Sequence, residues 1–160
     1  MKEEYADLLQ SAKSRRKEIK EKLKRLNGLG AKKADALIHP LQEEITESID
    51  CLDCANCCKT TSPIYRDVDI KRVSKAAGFN QREFADEHLF LDTDGHYALK
   101  SSPCLFLESN NCCSIYKDRP LACREFPHTD RKNFIGINKI NELNSRMCPI
   151  VAKLLLELKI

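Results

Sequence analysis

Cys51-Leu52-Asp53-Cys54-Ala55-Asn56-Cys57-Cys58 places four thiols within eight residues. Two residues between ligands let a tight turn aim both flanking sulfurs at one ion, and for that reason the interval recurs in zinc knuckles and iron–sulfur loops. Adjacent Cys57 and Cys58 differ from the rest. In an extended stretch neighbouring side chains point to opposite sides, so the pair is expected to serve two metals, or one metal and the core.

Working outward, five more cysteines follow at Cys104, Cys112, Cys113, Cys123 and Cys148, whereas residues 1–50 hold none. That step in composition is the clearest boundary in the chain. Three thiols in series with a remote Cys148-Pro149 parallel the bacterial 4Fe–4S run, in which a proline follows the distant cysteine. Eight thiols can also divide into two tetrahedral zinc sites. Soft sulfur ligands select zinc, copper(I) or iron–sulfur centres over calcium and magnesium, and the metal bonds supply folding energy. Nine is odd, so a fully paired disulfide set within one chain is excluded. If 105–107 and 114–116 form a regular hairpin about Asn110, Cys104 and Cys113 lie more than about 10 Å apart and cannot share one zinc. Either that hairpin is irregular or the two cysteines have different roles.

The chain has 160 residues, no tryptophan and only 6% aromatics, so its core is Leu, Ile, Ala and Cys, thin for its length. The formal charge of +3 is too small to argue for nucleic acid by itself. No stretch approaches the roughly 20 apolar residues of a membrane span. The start, Met1-Lys2-Glu3-Glu4-Tyr5, is polar where a signal peptide is apolar, so a cytoplasmic, reducing location is expected.

The expected organisation is an N-terminal helical hairpin over 1–49 and a cysteine-cluster domain over 50–160, mostly helical α+β. Tyr5, Ala12, Ile19 and Leu26 recur every seven residues, interleaved with Leu9, Arg16 and Leu23, predicting one long helix over the first 26 residues. Its stretch 13–25 has eight basic and two acidic residues (8 − 2 = +6), and residues 31–50 have two Lys against five acids (2 − 5 = −3). The plain reading sets the acidic arm against the basic one; a basic helix for RNA or a protein partner, or a homodimeric coiled coil, are the alternatives. Gly28-Leu29-Gly30 ends the helix, a second piece covers 32–38, and Pro40 starts a third to Ile49. Asp67 caps a helix that stops at Gly78, and Asn80 with Glu83 opens another through His88. Asp94-Gly95 makes a turn, 97–100, 105–107 and 114–116 form short strands, and 150–158 forms a C-terminal helix.

Further strings are specific: Asp69-Ile70, Pro103-Cys104-Leu105-Phe106-Leu107, and Cys113-Ser114-Ile115-Tyr116-Lys117-Asp118-Arg119-Pro120-Leu121-Ala122-Cys123-Arg124-Glu125-Phe126-Pro127. With the opening motif and Cys148-Pro149, this stretch of about residues 50–150 resembles the YkgJ-type cysteine-cluster proteins. The resemblance implies a zinc- or iron-chelating domain with ligands at Cys51, Cys54, Cys57, Cys58, Cys104, Cys113, Cys123 and Cys148, leaving Cys112 incidental. A larger relative, the flagellin lysine methylase, carries a similar cluster, but this shorter chain shows no S-adenosylmethionine fingerprint.

Near such a centre Arg119 and Arg124 can offset thiolate charge, or simply pair with Asp118, Glu125 or Asp69. Tyr116 and Phe126 read as core, and His128 as an ordinary histidine. The expected function is a metal-binding protein with a 4Fe–4S cluster or Zn2+, structural, redox or metal-handling in role. A zinc-stabilised interaction or RNA-binding module is the alternative. A redox or methyl-transfer enzyme comes third, because no acid–base pair or nucleophile motif stands out. A protein partner is expected to meet the N-terminal helices; nucleic acid and membrane are not expected partners.

Overall fold

The computed structural model describes all 160 residues. Its helices, in chain order, are α1 (Glu3–Ser14), α2 (Arg16–Gly28), α3 (Ala31–Ser48), α4 (Cys51–Cys54), α5 (Asn56–Thr60), α6 (Asp67–Ala76), α7 (Gln81–His88), α8 (Leu121–Glu125), α9 (Asn138–Asn144) and α10 (Pro149–Glu157). Three short strands, β1 (Ile64–Tyr65), β2 (Leu89–Leu91) and β3 (Tyr97–Leu99), and 3-10 turns at Tyr116–Asp118 and Phe134–Ile137 complete a mostly helical α+β protein. No helix is long and apolar enough to cross a membrane. The chain forms two compact units, Met1–Cys54 with Pro127–Ile160, and Ala55–Phe126.

In the first unit the seven-residue seam is the buried stripe: Tyr5, Leu9, Ala12, Ile19, Leu23 and Leu26 are all buried. The stripe does not run along one helix. Ser14 Oγ donates to the Ser11 carbonyl at 2.9 Å, and Arg15 leaves helical geometry at φ −94°, ψ 22°, separating α1 from α2. What covers the stripe is α10, which packs on α1 and α3 with Val151, Ala152, Leu154 and Leu155 fully buried. Lys22 Nζ closes the far end of α10 by donating to the Leu155 and Leu156 carbonyls at 3.1 and 2.7 Å.

Two further expectations for this unit fail. Pro40 does not start a helix; α3 runs through it, with Ala34, Ile38 and Ile45 buried on both sides. Burial of one continuous helical face outweighs the single hydrogen bond that Pro40 removes. Nor do the acids of α3 balance the bases of α2. Arg15 and Lys22 pair with Glu18, and Arg16 reaches Glu142 of α9 at 2.7 Å. Asp35 of α3 instead accepts the Asn133 and Phe134 amides at 2.8 and 2.9 Å, capping the second 3-10 turn.

The second unit has its own core: Tyr65, Ile70, Val73, Phe84, Leu89, Leu99, Phe106 and Ile115. The antiparallel sheet has the order β1-β3-β2, with Ile64 opposite Ala98 and Leu89 opposite Leu99. β2 and β3 flank the Asp94-Gly95 turn, in which Asp92 Oδ1 accepts the Asp94 and His96 amides at 2.9 and 2.8 Å. Helix α6 stops as expected, with Gly78 at φ +76°, a conformation free of Cβ strain only for glycine. Asn80 Oδ1 caps α7 by accepting the Arg82 amide at 2.9 Å.

The hairpin expected from 105–107 and 114–116 is not formed. The stretch curls, with the Leu107 amide turning back to the Cys104 carbonyl at 3.0 Å, and Leu107 opposite Cys113 is a lone bridge. Tyr116, expected in the core, is 60% exposed.

Candidate metal centre

None of the nine cysteines is joined to another in a disulfide. The Ala55–Phe126 unit holds six of them, and four act on one another electrostatically. Cys58 lies on the one-turn helix α5, entered through Ala55 at φ +48°. Its carbonyl accepts the Cys104 amide at 2.8 Å, tying two cysteine segments together through the backbone. Cys113 is brought in by the curl, fixed by the Ser114 amide donating to the Phe106 carbonyl at 2.9 Å. The stretch is irregular, so the separation of more than about 10 Å expected of a regular ladder does not apply to Cys104 and Cys113. Cys123 rides on α8, whose first amide, that of Leu121, donates to the buried Asp69 carboxylate at 3.1 Å.

The charges of these groups are linked. Cys58 is pulled down to about 6, chiefly by the hydrogen bond with Cys57, against the upward push of burial, with help from the Arg119 and Lys59 charges. Cys104 and Cys113 are pushed up by burial first and then by charge on Cys58. Burial drives Cys123 up to about 12, reinforced by Cys58, Cys104 and Cys113. Tyr65 is pushed up too, by burial and then by Cys104, Cys123 and Cys113, so its hydroxyl lies within electrostatic range of those thiols.

Cys57 and Cys58 do not point to opposite sides. On a helix, adjacent residues differ by only about 100°, and the two sulfurs lie 3.9 Å apart. Cys112 is a turn residue: its amide donates to Asn110 Oδ1 at 2.9 Å and its carbonyl accepts from Glu108 at 2.8 Å.

Arg119 and Arg124 separate. The Arg119 guanidinium lies 3.6 Å from the Tyr116 ring centre, Nε donates to the Tyr116 carbonyl at 2.8 Å, and its charge lowers Cys58, Cys113 and Cys123. Arg124 is exposed. Neither one pairs with Asp69. Its partners are Arg66 at 3.0 Å and Arg72 at 2.6 Å. Arg72 also donates to the Asp118 and Arg119 carbonyls at 3.2 and 2.8 Å, so the Asp69–Arg72 pair holds the segment carrying Arg119 and Cys123. Sequence reasoning missed Arg72 and Tyr65. Both are ordinary residues of an amphipathic helix and a strand, and only their buried neighbours mark them.

In the other unit, Cys51 and Cys54 stand at the two ends of α4, and Cys148 precedes α10. Cys148 is pushed up to about 12 by burial; the Val151 and Ile150 amides pull against this, and Cys51 and Cys54 add to it. These three thiols therefore form a second group within that unit. Cys54 is buried, with its sulfur 3.9 Å from the Met1 thioether. His128 adopts φ +67°.

The donor chemistry suits a soft metal. Each group is all sulfur, and in the larger one a thiol that ionises near neutral pH faces an arginine. Residues 50–149 match the family described as "CxxCxxCC: Putative zinc- or iron-chelating domain". No curated protein and no solved structure matches the chain.

Proposed function

Since the chain belongs to this zinc- or iron-chelating cysteine family, we propose that Cys58, Cys104, Cys113 and Cys123 together hold one metal centre in the Ala55–Phe126 unit. Cys51, Cys54 and Cys148 are metal ligands of the other unit, and Cys57 completes the eight-cysteine set. The observation that carries this reading is the mutual electrostatic influence of the four thiols, drawn from four separate segments.

A bound metal keeps those thiols ionised and adds to the core and the hydrogen bonds that already join the segments. Every remaining contribution comes from the chain. Arg119 offsets thiolate charge, Cys57 lowers Cys58 by hydrogen bonding, and Asp69 with Arg72 holds the Cys123 segment in place. The role is structural or metal-handling, with zinc and a 4Fe–4S cluster as the two candidate occupants.

Elemental analysis and the visible spectrum of anaerobically purified protein test this. Expected is at least one zinc per chain in a colourless protein, or iron with broad absorption in a brown one. The Cys58→Ser, Cys104→Ser and Cys123→Ser variants each lose the same metal equivalent, and Cys112→Ser retains it. Metal-free protein, or serine variants with unchanged metal content, overturns the reading.

A further inference from the structure

The thiol group of the first unit is one donor short. Cys51, Cys54 and Cys148 are the only cysteines in Met1–Cys54 and Pro127–Ile160, whereas a tetrahedral ion takes four ligands. Cys51 and Cys54 both lie within electrostatic range of Cys148. The remaining sulfurs of this unit are the thioethers of Met1 and Met147. Met1 stands on one of the three cysteines, its Sδ 3.9 Å from the Cys54 Sγ. Two sulfurs bound at about 2.3 Å to one tetrahedral ion stand about 3.8 Å apart. The pair therefore already has the separation that a shared ion requires.

Polar contacts, not burial, place Met1 there. It is 51% exposed, so covering its side chain contributes little. Its neighbour Lys2 is extended, at φ −60° and ψ 148°, so residue 1 does not continue the line of α1. Lys2 Nζ pairs with Asp53 Oδ2 at 2.7 Å, next to Cys54 in α4, and lies 5.7 Å from the Tyr5 ring centre. The buried Tyr5 hydroxyl accepts the Asp50 amide at 3.2 Å, at the entry to α4. The start of the chain is thus tied to the cysteine loop at two points. A thioether is a soft donor on a flexible stem, and with thiolates it suits copper(I) and zinc. It carries no charge and needs no deprotonation to ligate.

We propose that the Met1 thioether is the fourth ligand of a soft metal ion, zinc or copper(I), held with Cys51, Cys54 and Cys148 in the first unit. This rests on the reading of those three cysteines as metal ligands. It reaches beyond the family resemblance, because the matched residues 50–149 do not include Met1. Lys2, Tyr5, Asp50 and Asp53 are then positioning residues, which carry the sulfur to the ion.

In the full chain the change Met147→Leu leaves Met1 as the sole methionine. That protein, grown on selenomethionine and loaded anaerobically with Zn2+ or, separately, Cu+, is measured by selenium-edge X-ray absorption. Expected with one of the two ions is a metal neighbour about 2.4–2.5 Å from selenium. It disappears after the further change Cys51→Ser, at an exposed position. Met1→norleucine keeps the shape of the side chain and drops its sulfur. It weakens the binding of that metal equivalent by about tenfold in chelator competition, whereas a packing role alone leaves the norleucine protein unchanged. Two results overturn the Met1 assignment and spare the cysteines, provided Cys51→Ser still costs one metal equivalent: selenium without a metal neighbour in both samples, or norleucine protein with parental affinity. Unchanged metal content in Cys51→Ser overturns the cysteine reading and the Met1 assignment together.

Discussion

Arg119 lies flat on the exposed ring of Tyr116 and still pulls down three cysteines through its charge. A thiolate centre is anionic, and a fixed cation beside it lowers the cost of gathering that charge. Arg119→Gln is therefore expected to weaken metal affinity by about tenfold, Arg119→Lys to recover part of it, and Arg124→Gln to leave it unchanged, all measured by chelator competition. Asp69 gives a second residue-scale prediction. Burial alone raises its carboxyl, but the bonds with Arg66 and Arg72 and the Arg66 and Leu121 amides outweigh this and hold it at about 2. A folded value below the unfolded one, about 4, means the contribution is complete at neutral pH and is lost as pH falls toward 2. Asp69→Asn leaves the two arginines without their counter-charge and destabilises by about 3 kcal/mol at pH 7. In urea unfolding that gap narrows steadily on acidification, and a gap independent of pH contradicts the assignment.

Among the elements, α3 is the one most at odds with local preference. Pro40 is exposed and lies inside an 18-residue helix. It forfeits the bond to the Ala36 carbonyl and gives no packing in return. Pro40→Ala should stabilise the protein by about 1–2 kcal/mol, the full helix-interior penalty being offset in part by a freer unfolded chain; a thermal melt measures it. The curl over 104–116 shows the opposite relation. Short apolar runs there read as strands, yet one bridge is all that forms. An ideal ladder would separate Cys104 from Cys113, whereas the curl keeps both within electrostatic reach of Cys58. Thiol placement thus takes precedence over strand pairing in this segment.

For the molecule as a whole, the binding of metal and the release of protons are coupled. Cys104, Cys113 and Cys123 hold their protons more tightly than free thiols, and each must lose one to ligate. Metal affinity is therefore expected to rise with pH across the neutral range, with proton release measurable in weakly buffered titrations. Stripping the metal under reducing conditions should lower the thermal midpoint by about 10 °C or more, and restoring it should recover the loss. If the midpoint does not move, the proposed structural role is wrong, even where metal still binds.

The sequence by itself determined the helical α+β class, the buried stripe from Tyr5 to Leu26, the glycine stop after α6, the Asn80 cap of α7, the C-terminal helix α10, and the membership of a metal-chelating cysteine family; the cap of α6 is Arg66 and not the expected Asp67, which is its first helical residue. These features depend on residue type at short range: helical periodicity, capping side chains, a glycine where φ is positive, and sulfur at a fixed interval. What only the tertiary structure decided depends on long-range proximity. Residues 127–160 cluster with the N-terminal helices because α10 covers the stripe that α1 and α2 expose. Cys104, Cys113 and Cys123 come within electrostatic reach of Cys58 because the chain between them curls, and Asp69 and Arg72 meet the distant segment carrying Arg119 and Cys123, the Leu121 amide donating to Asp69 and Arg72 donating to the Asp118 and Arg119 carbonyls. No local spacing encodes such approaches; burial of side chains far apart in the chain brings them about.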